Sequence, residues 1–127
     1  KEITFGADII AGFPTENEGM FKNTYNLLND NQISHLHIFP FSPKKNTPAA
    51  RMPQLDKSII KKRAQDLRLL GDNILSLVKK NLSNERKILI EELNTHHISG
   101  YDQNYIKHQI PMIGMSLGEI VTTECSF

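Results

Sequence analysis

Two short runs rich in β-branched and aromatic residues, each stopped by Gly or Pro, set the architecture open to this chain. Residues 3–13 read as a strand with Ile9 and Ile10 at its middle and Gly12 at its end; residues 33–41 return to the same composition. Between them Phe21, Tyr25 and Leu28 recur at i, i+4 and i+7, one face of a helix ending near residues 29–31. Thr15 followed by Glu18 is a capping-box signature and places the helix start after Pro14. Strand, helix and strand within about 40 residues make a βαβ unit, hence a parallel sheet with a right-handed crossover. Where such strands run out, the polar side chains just past the stop face ligands. Here those are Asp8-Ile-Ile-Ala-Gly-Phe-Pro-Thr-Glu16, His35-Leu-His-Ile-Phe-Pro-Phe-Ser-Pro43 and Asn46-Thr-Pro-Ala-Ala-Arg-Met-Pro-Gln54.

Pro43, Pro48 and Pro53 leave no room for a long regular element over 42–55, which reads as an extended loop. Asp56 can cap a second helix from about Lys57 to Lys80. Its apolar face is Ile60, Ala64, Leu67, Leu70, Ile74, Leu77 and Val78; Lys61, Lys62, Arg68 and Lys79 take the opposite face. Gly71 inside it costs roughly 1 kcal/mol against Ala, which implies a kink or close packing there. After Asn81-Leu-Ser-Asn84 the grammar changes. Lys87–Leu93, Tyr101–Ile110 and Leu117–Thr123 are strand-like runs separated by Asn94-Thr-His-His97, Gly100 and Pro111-Met-Ile-Gly114. Short strands at turn spacing suggest a small β-barrel, with a domain boundary at 81–84.

Composition narrows the function classes. Apolar content of 39% with 23% charged residues is globular. No apolar run of about 18 residues and no basic-then-apolar leader is present, so a membrane span or secretion is not expected. The one cysteine, Cys125, excludes an internal disulfide framework and an iron–sulfur site held by this chain alone; a reducing cytoplasm fits. The chain opens at Lys1 inside what reads as an αβ connection, and is taken for a fragment of something longer. Net charge is +1, yet from Lys44 to Lys80 there are ten Lys/Arg against three acids (Asp56, Asp66, Asp72). That stretch is either a solvated helix face or a surface for an anionic partner such as RNA phosphate.

Several residues carry two readings. Gly12 either only ends its strand or lets a flat ligand approach the backbone. Glu16 either binds that ligand or only favours the helix N-terminus by its charge. Asp8, in an apolar strand, faces a polar interior or pairs with a cation. His35 and His37 alternate and so share one side of their strand; with no further ligands at a recognisable spacing, no metal site is expected. Ser42 has no His–acid pair placed to activate it, so the surrounding prolines suggest a rigid loop rather than a hydrolase.

The three opening stretches together resemble the later part of the catalytic domain of the radical-SAM tRNA methylthiotransferases. The His35–Pro43 and Ala50-Arg-Met-Pro-Gln54 runs most resemble the branch acting on threonylcarbamoyladenosine. Gly12 beside Glu16 resembles the glycine motif that lies against the adenine of S-adenosylmethionine, with Phe39-Pro-Phe-Ser42 next to it. The resemblance therefore implies Gly12, Glu16, Phe39 and Ser42 as cofactor-binding residues. In the last 44 residues, Ile88-Leu-Ile-Glu-Glu92, Gly100-Tyr-Asp-Gln-Asn-Tyr105 and Gly118-Glu-Ile-Val121 resemble the TRAM domain, a small RNA-binding β-barrel. The usual basic residue before the tyrosine is absent, since the run here is Ser99-Gly100-Tyr101-Asp102. RNA contacts are expected at Lys44, Lys45, Arg51, Tyr101, Tyr105 and Lys107, with His108 a further candidate.

The resemblance implies an α/β fold: an incomplete (βα) barrel segment over 1–81, then a TRAM-like antiparallel β-barrel over 82–127. The family adds a methylthio group to a modified adenosine beside the tRNA anticodon, using S-adenosylmethionine and two 4Fe-4S clusters. The cluster-binding Cys-x-x-x-Cys-x-x-Cys loop is absent, so no catalytic residue is assigned and this piece alone is not expected to be active. The expected partner is the tRNA anticodon stem-loop. Two strands cannot close a barrel, so self-association through residues 3–13 and 33–41 is expected. The alternatives are a non-catalytic RNA-binding module, or a sister enzyme acting on isopentenyladenosine or a ribosomal protein.

Overall fold

A computed structural model describes residues 3–111 and 114–125, which form two compact units, one spanning Thr4–Lys79 and the other made of Ile3 and the described residues from Lys80 onward. In the first, strand β1 (Gly6–Ala11), helix α1 (Glu18–Asp30) and strand β2 (His35–Pro40) make the expected βαβ unit. The strands pair in parallel, Gly6 opposite His35 through Ala11 opposite Pro40. Helix α2 (Lys57–Lys80) follows the proline-rich segment, in which only a 3-10 turn at Ala49–Arg51 is regular.

Pleating sorts the strand residues. Ile9, Ala11, Leu36 and Ile38 turn toward the helices and meet Phe21 and Leu28 of α1 and Ala64, Leu67, Leu70 and Ile74 of α2 in one apolar core. Asp8, Ile10, His35, His37 and Phe39 therefore lie on the other face, away from the helices. There Ile10 is 58% and Phe39 53% exposed. Helix α2 runs unbroken past Gly71, where a Cβ would stand 3.2 Å from Leu36 Cδ1; close packing, not a kink, explains the glycine.

Two local expectations are corrected. The cap of α1 is Asn17, whose Oδ1 accepts the Met20 N–H at 2.9 Å, so Thr15 and Glu18 form no capping box. Arg68 is exposed on the polar face of α2, and its guanidinium also donates to the Ile38 carbonyl at 3.0 Å. Leu77, assigned to the apolar face, is exposed, and the buried position between Ile60 and Ala64 is Arg63.

In the second unit β3 (Glu85–Leu93), β4 (His97–Asp102), β5 (Lys107–Pro111) and β6 (Ile120–Glu124) form one antiparallel sheet in the order β5-β4-β3-β6. The expected single run Tyr101–Ile110 is instead the end of β4, a turn, and β5; His97 opens β4 and does not lie in a turn. Met112 and Ile113, in the expected 111–114 break, lie outside the described residues. Ile88, Ile90, Ile98 and Ile110 make the core, with Val121 and Cys125 against it. The edge strands β5 and β6 line one cavity of about 390 Å³, so the sheet curls into a half-barrel.

Candidate functional site

Both strands of the first unit end on the same side, and Gly12, Glu16 and Arg63 gather there. Gly12 takes a φ of +81°, a region glycine enters freely, and a Cβ on it would come within 2.7 Å of Ile60 Cγ1. The missing side chain thus makes room for α2. Its N–H donates to Glu16 Oε1 at 3.1 Å, and the same oxygen takes an N–H of Arg63 at 2.6 Å. Arg63 also donates to the Glu16 carbonyl at 3.0 Å and to Glu18 at 3.2 Å, and stacks over Phe21 with its guanidinium carbon 5.3 Å from the ring centre. One buried cation so ties the end of β1, the start of α1 and the first turns of α2 together.

Phe39 and Ser42 are differently placed. Phe39 presents its ring on the open face, where Asp8 and His37 are cross-strand neighbours. Ser42 lines a cavity of about 480 Å³ between the proline-rich segment and the first turns of α2. Phe41, Leu55 and Ile60 wall it, and Phe41 is fixed edge-on against Phe13 with ring centres 5.3 Å apart. Lys57, Lys61 and Arg68 also line it, and no lining residue is acidic. Lys44, Lys45 and Arg51 are exposed on the segment itself. Among the described residues no three His, Cys, Asp or Glu side chains are grouped to hold a metal ion.

In the second unit Tyr101, Tyr105 and Lys107 come together. The tyrosine rings lie 5.4 Å apart, and the Lys107 ammonium sits 6.0 Å from the Tyr101 ring centre. Lys107 also pairs with Glu92 at 3.1 Å, which pushes its own pKa up and, after the Ser99 hydroxyl, helps hold the Glu92 carboxyl below its ordinary range. His108 turns inward instead: its Nε2 lies 2.8 Å from Asp102 Oδ2. Sequence reasoning missed the group around Asp102, which is fully buried with Arg86 at 2.9 Å; Asn104 completes it by a bond from Arg86. Burial alone would raise the Asp102 carboxyl, yet the His108 ring, the Ile106 N–H, Arg86 and the Asn104 N–H together hold it below the usual range. The signal that could have found it is a pair of polar residues, Asp102 and Asn104, bracketing a turn.

No helix among the described residues is long and apolar enough to cross a membrane. No protein-family model matches the chain. It is 41% identical over 97% of its length to a threonylcarbamoyladenosine tRNA methylthiotransferase of Rickettsia prowazekii, of which it covers 28%. It is 34% identical over 93% of its length to the enzyme of that name from Thermotoga maritima, covering 27%. A tRNA-2-methylthio-N(6)-dimethylallyladenosine synthase of Campylobacter hominis is 36% identical over 63% of the chain. The chain spans about a quarter of the length of the curated relatives it matches.

Proposed function

We propose that the chain belongs to the tRNA methylthiotransferase family and is the C-terminal part of an enzyme that adds a methylthio group to threonylcarbamoyladenosine beside the tRNA anticodon. The observation that carries this reading is the 41% identity across nearly the whole chain to an enzyme named for that nucleoside. Residues 1–81 are then the end of a radical-SAM (βα) barrel, and the open face of β1 and β2 is its interior side. Residues 82–127 are a TRAM-like RNA-binding module, the Tyr101–Tyr105 pair offering ring faces for bases and Lys107, with Lys44, Lys45 and Arg51, charge for phosphate. A cytoplasmic setting goes with a tRNA substrate.

The cofactors divide on this chain's donor set. Its one cysteine does not fit the three thiolates an iron–sulfur cluster of this class needs, so both clusters belong to other segments of the whole enzyme. S-adenosylmethionine supplies the radical and the methyl group when bound. Toward it the exposed Phe39 ring can pack on the adenine and the Ser42 hydroxyl can bond it. Gly12 and Glu16, engaged with Ile60 and Arg63, shape the loop that would face it.

A second reading rests on the relatives named for dimethylallyladenosine, which match 63–79% of the chain at 34–36% identity. Nucleoside mass spectrometry of tRNA from cells with and without the full-length gene separates the two. Loss of methylthio-threonylcarbamoyladenosine, with its unmethylthiolated precursor accumulating, is expected. Loss of the dimethylallyl nucleoside's methylthio group would move the assignment to the second reading, and an unchanged profile would leave a non-catalytic RNA-binding module.

A further inference from the structure

Ser42 apart, the residues lining the cavity under the proline-rich segment have no functional role above. Its walls are apolar and in part aromatic (Phe41, Leu55, Ile60), and at about 480 Å³ it falls within the size of small-ligand sites. Its charge is of one sign: Lys57, Lys61 and Arg68 recur along one face of α2 at i, i+4 and i+11, with no acid among the lining residues. Arg68 is bound to the Ile38 carbonyl, but Lys57 and Lys61 are exposed and meet no carboxylate among the described residues. These ammonium groups stand near the N-terminal end of α2; the carboxylate there, the cap Asp56, accepts the Ser58 N–H at 2.7 Å and is not among the residues lining the cavity. An anion inside the cavity would meet charge of opposite sign and no lining carboxylate. Flat apolar walls beside paired cations suit a base with its own phosphate better than a bare ion.

We propose that this cavity docks one nucleotide of single-stranded RNA, its base against Phe41, Leu55 and Ile60 and its phosphate on Lys57 and Lys61. The proposal rests on the tRNA reading above and extends it to a contact outside the open sheet face and outside the tyrosine pair.

Titration of the 127-residue chain with 5′-phosphorylated triadenylate RNA, followed by amide NMR, tests it. Shifts are expected at Phe41, Ser42, Leu55 and Ile60, fading as salt rises. Lys57→Glu and Lys61→Glu should each weaken binding about threefold or more, and together about tenfold or more, while Lys62→Glu, the same charge change as either single variant but off the cavity, should cost less than about twofold. Both sites are exposed, so circular dichroism unchanged from the wild type is expected for each variant. Absence of shifts at the cavity residues would overturn the proposal. So would equal weakening by Lys62→Glu, or the same saturating shifts from inorganic phosphate or an acidic peptide. Failure here with methylthio nucleosides still dependent on the full-length gene removes this site alone; shifts here with an unchanged nucleoside profile remove the enzymatic reading alone.

Discussion

Arg63 and Arg86 are both buried, and each is held by carboxylates brought from far along the chain: Glu16 for the first, Asp102 for the second. A guanidinium out of water is tolerable only when its donors are engaged, and of the buried donors of these two side chains the Nε of Arg63 lacks a partner. The same crowding constrains Gly12. Gly12→Ala adds a methyl group against Ile60 at a positive φ, and is expected to cost about 2 kcal/mol. Urea denaturation measures it, and a midpoint equal to wild type would refute the clash. Asp102 makes a pH prediction. Its carboxyl is held below the ordinary value, so its stabilising contribution is present above about pH 4 and is lost as pH falls through the lowered folded value. The thermal midpoint of the second unit should therefore drop on acidification below that point. Carboxyl-detected NMR placing the Asp102 midpoint at or above an ordinary aspartate would contradict it.

Helix α2 shows what local signals can and cannot fix. Its bounds, Lys57–Lys80, are legible because Asp56 caps it, accepting the Ser58 N–H at 2.7 Å, and because Ile60, Ala64, Leu67, Leu70 and Ile74 keep the helical period. The start of α1 is not, because two side chains, Thr15 and Asn17, compete for one helix end, and composition does not rank them. The turn between β4 and β5 reads as continuous strand because its determinant is the Asp102 side chain, which takes the Asn104 and Ile106 N–H groups while Arg86 reaches it from 16 residues away. Around the candidate site the limit is the same: Glu16 stands out in the sequence, but its partner Arg63 lies 47 residues on and reads as one more basic helix residue. Gly71 is a case where propensity alone misleads. Ala there should gain about 1 kcal/mol of helix propensity, but its Cβ would meet Leu36 at 3.2–3.4 Å, including a Cβ that moves only with the strand. Gly71→Ala is expected to be destabilising, and the double variant with Leu36→Ala to show a favourable coupling of about 1 kcal/mol in a double-mutant cycle. Additive effects would exclude the contact.

At the scale of the molecule, the sheet of the first unit is finished on one face only. Both helices cover the side of Ile9, Ala11, Leu36 and Ile38, while Ile10 and Phe39, paired across the strands, stay more than half exposed beside Asp8, His35 and His37. Two large apolar side chains side by side on a parallel sheet are unusual, because parallel sheets are ordinarily covered on both faces. The sheet edge is not equally open: Arg68 already occupies the Ile38 carbonyl on the side of β2 away from β1, which hinders strand addition there. Association between copies is therefore expected to run through the face and not through that edge. Sedimentation velocity should show concentration-dependent dimers for this chain, and Ile10→Asp or Phe39→Asp, each placing a charge on the face without touching the core, should return it to monomer. Arg68→Ala, which frees the Ile38 carbonyl, should leave the dimer unaffected. A monomer at every concentration would mean that the polar residues Asp8, His35 and His37 hydrate the face well enough to keep it apart.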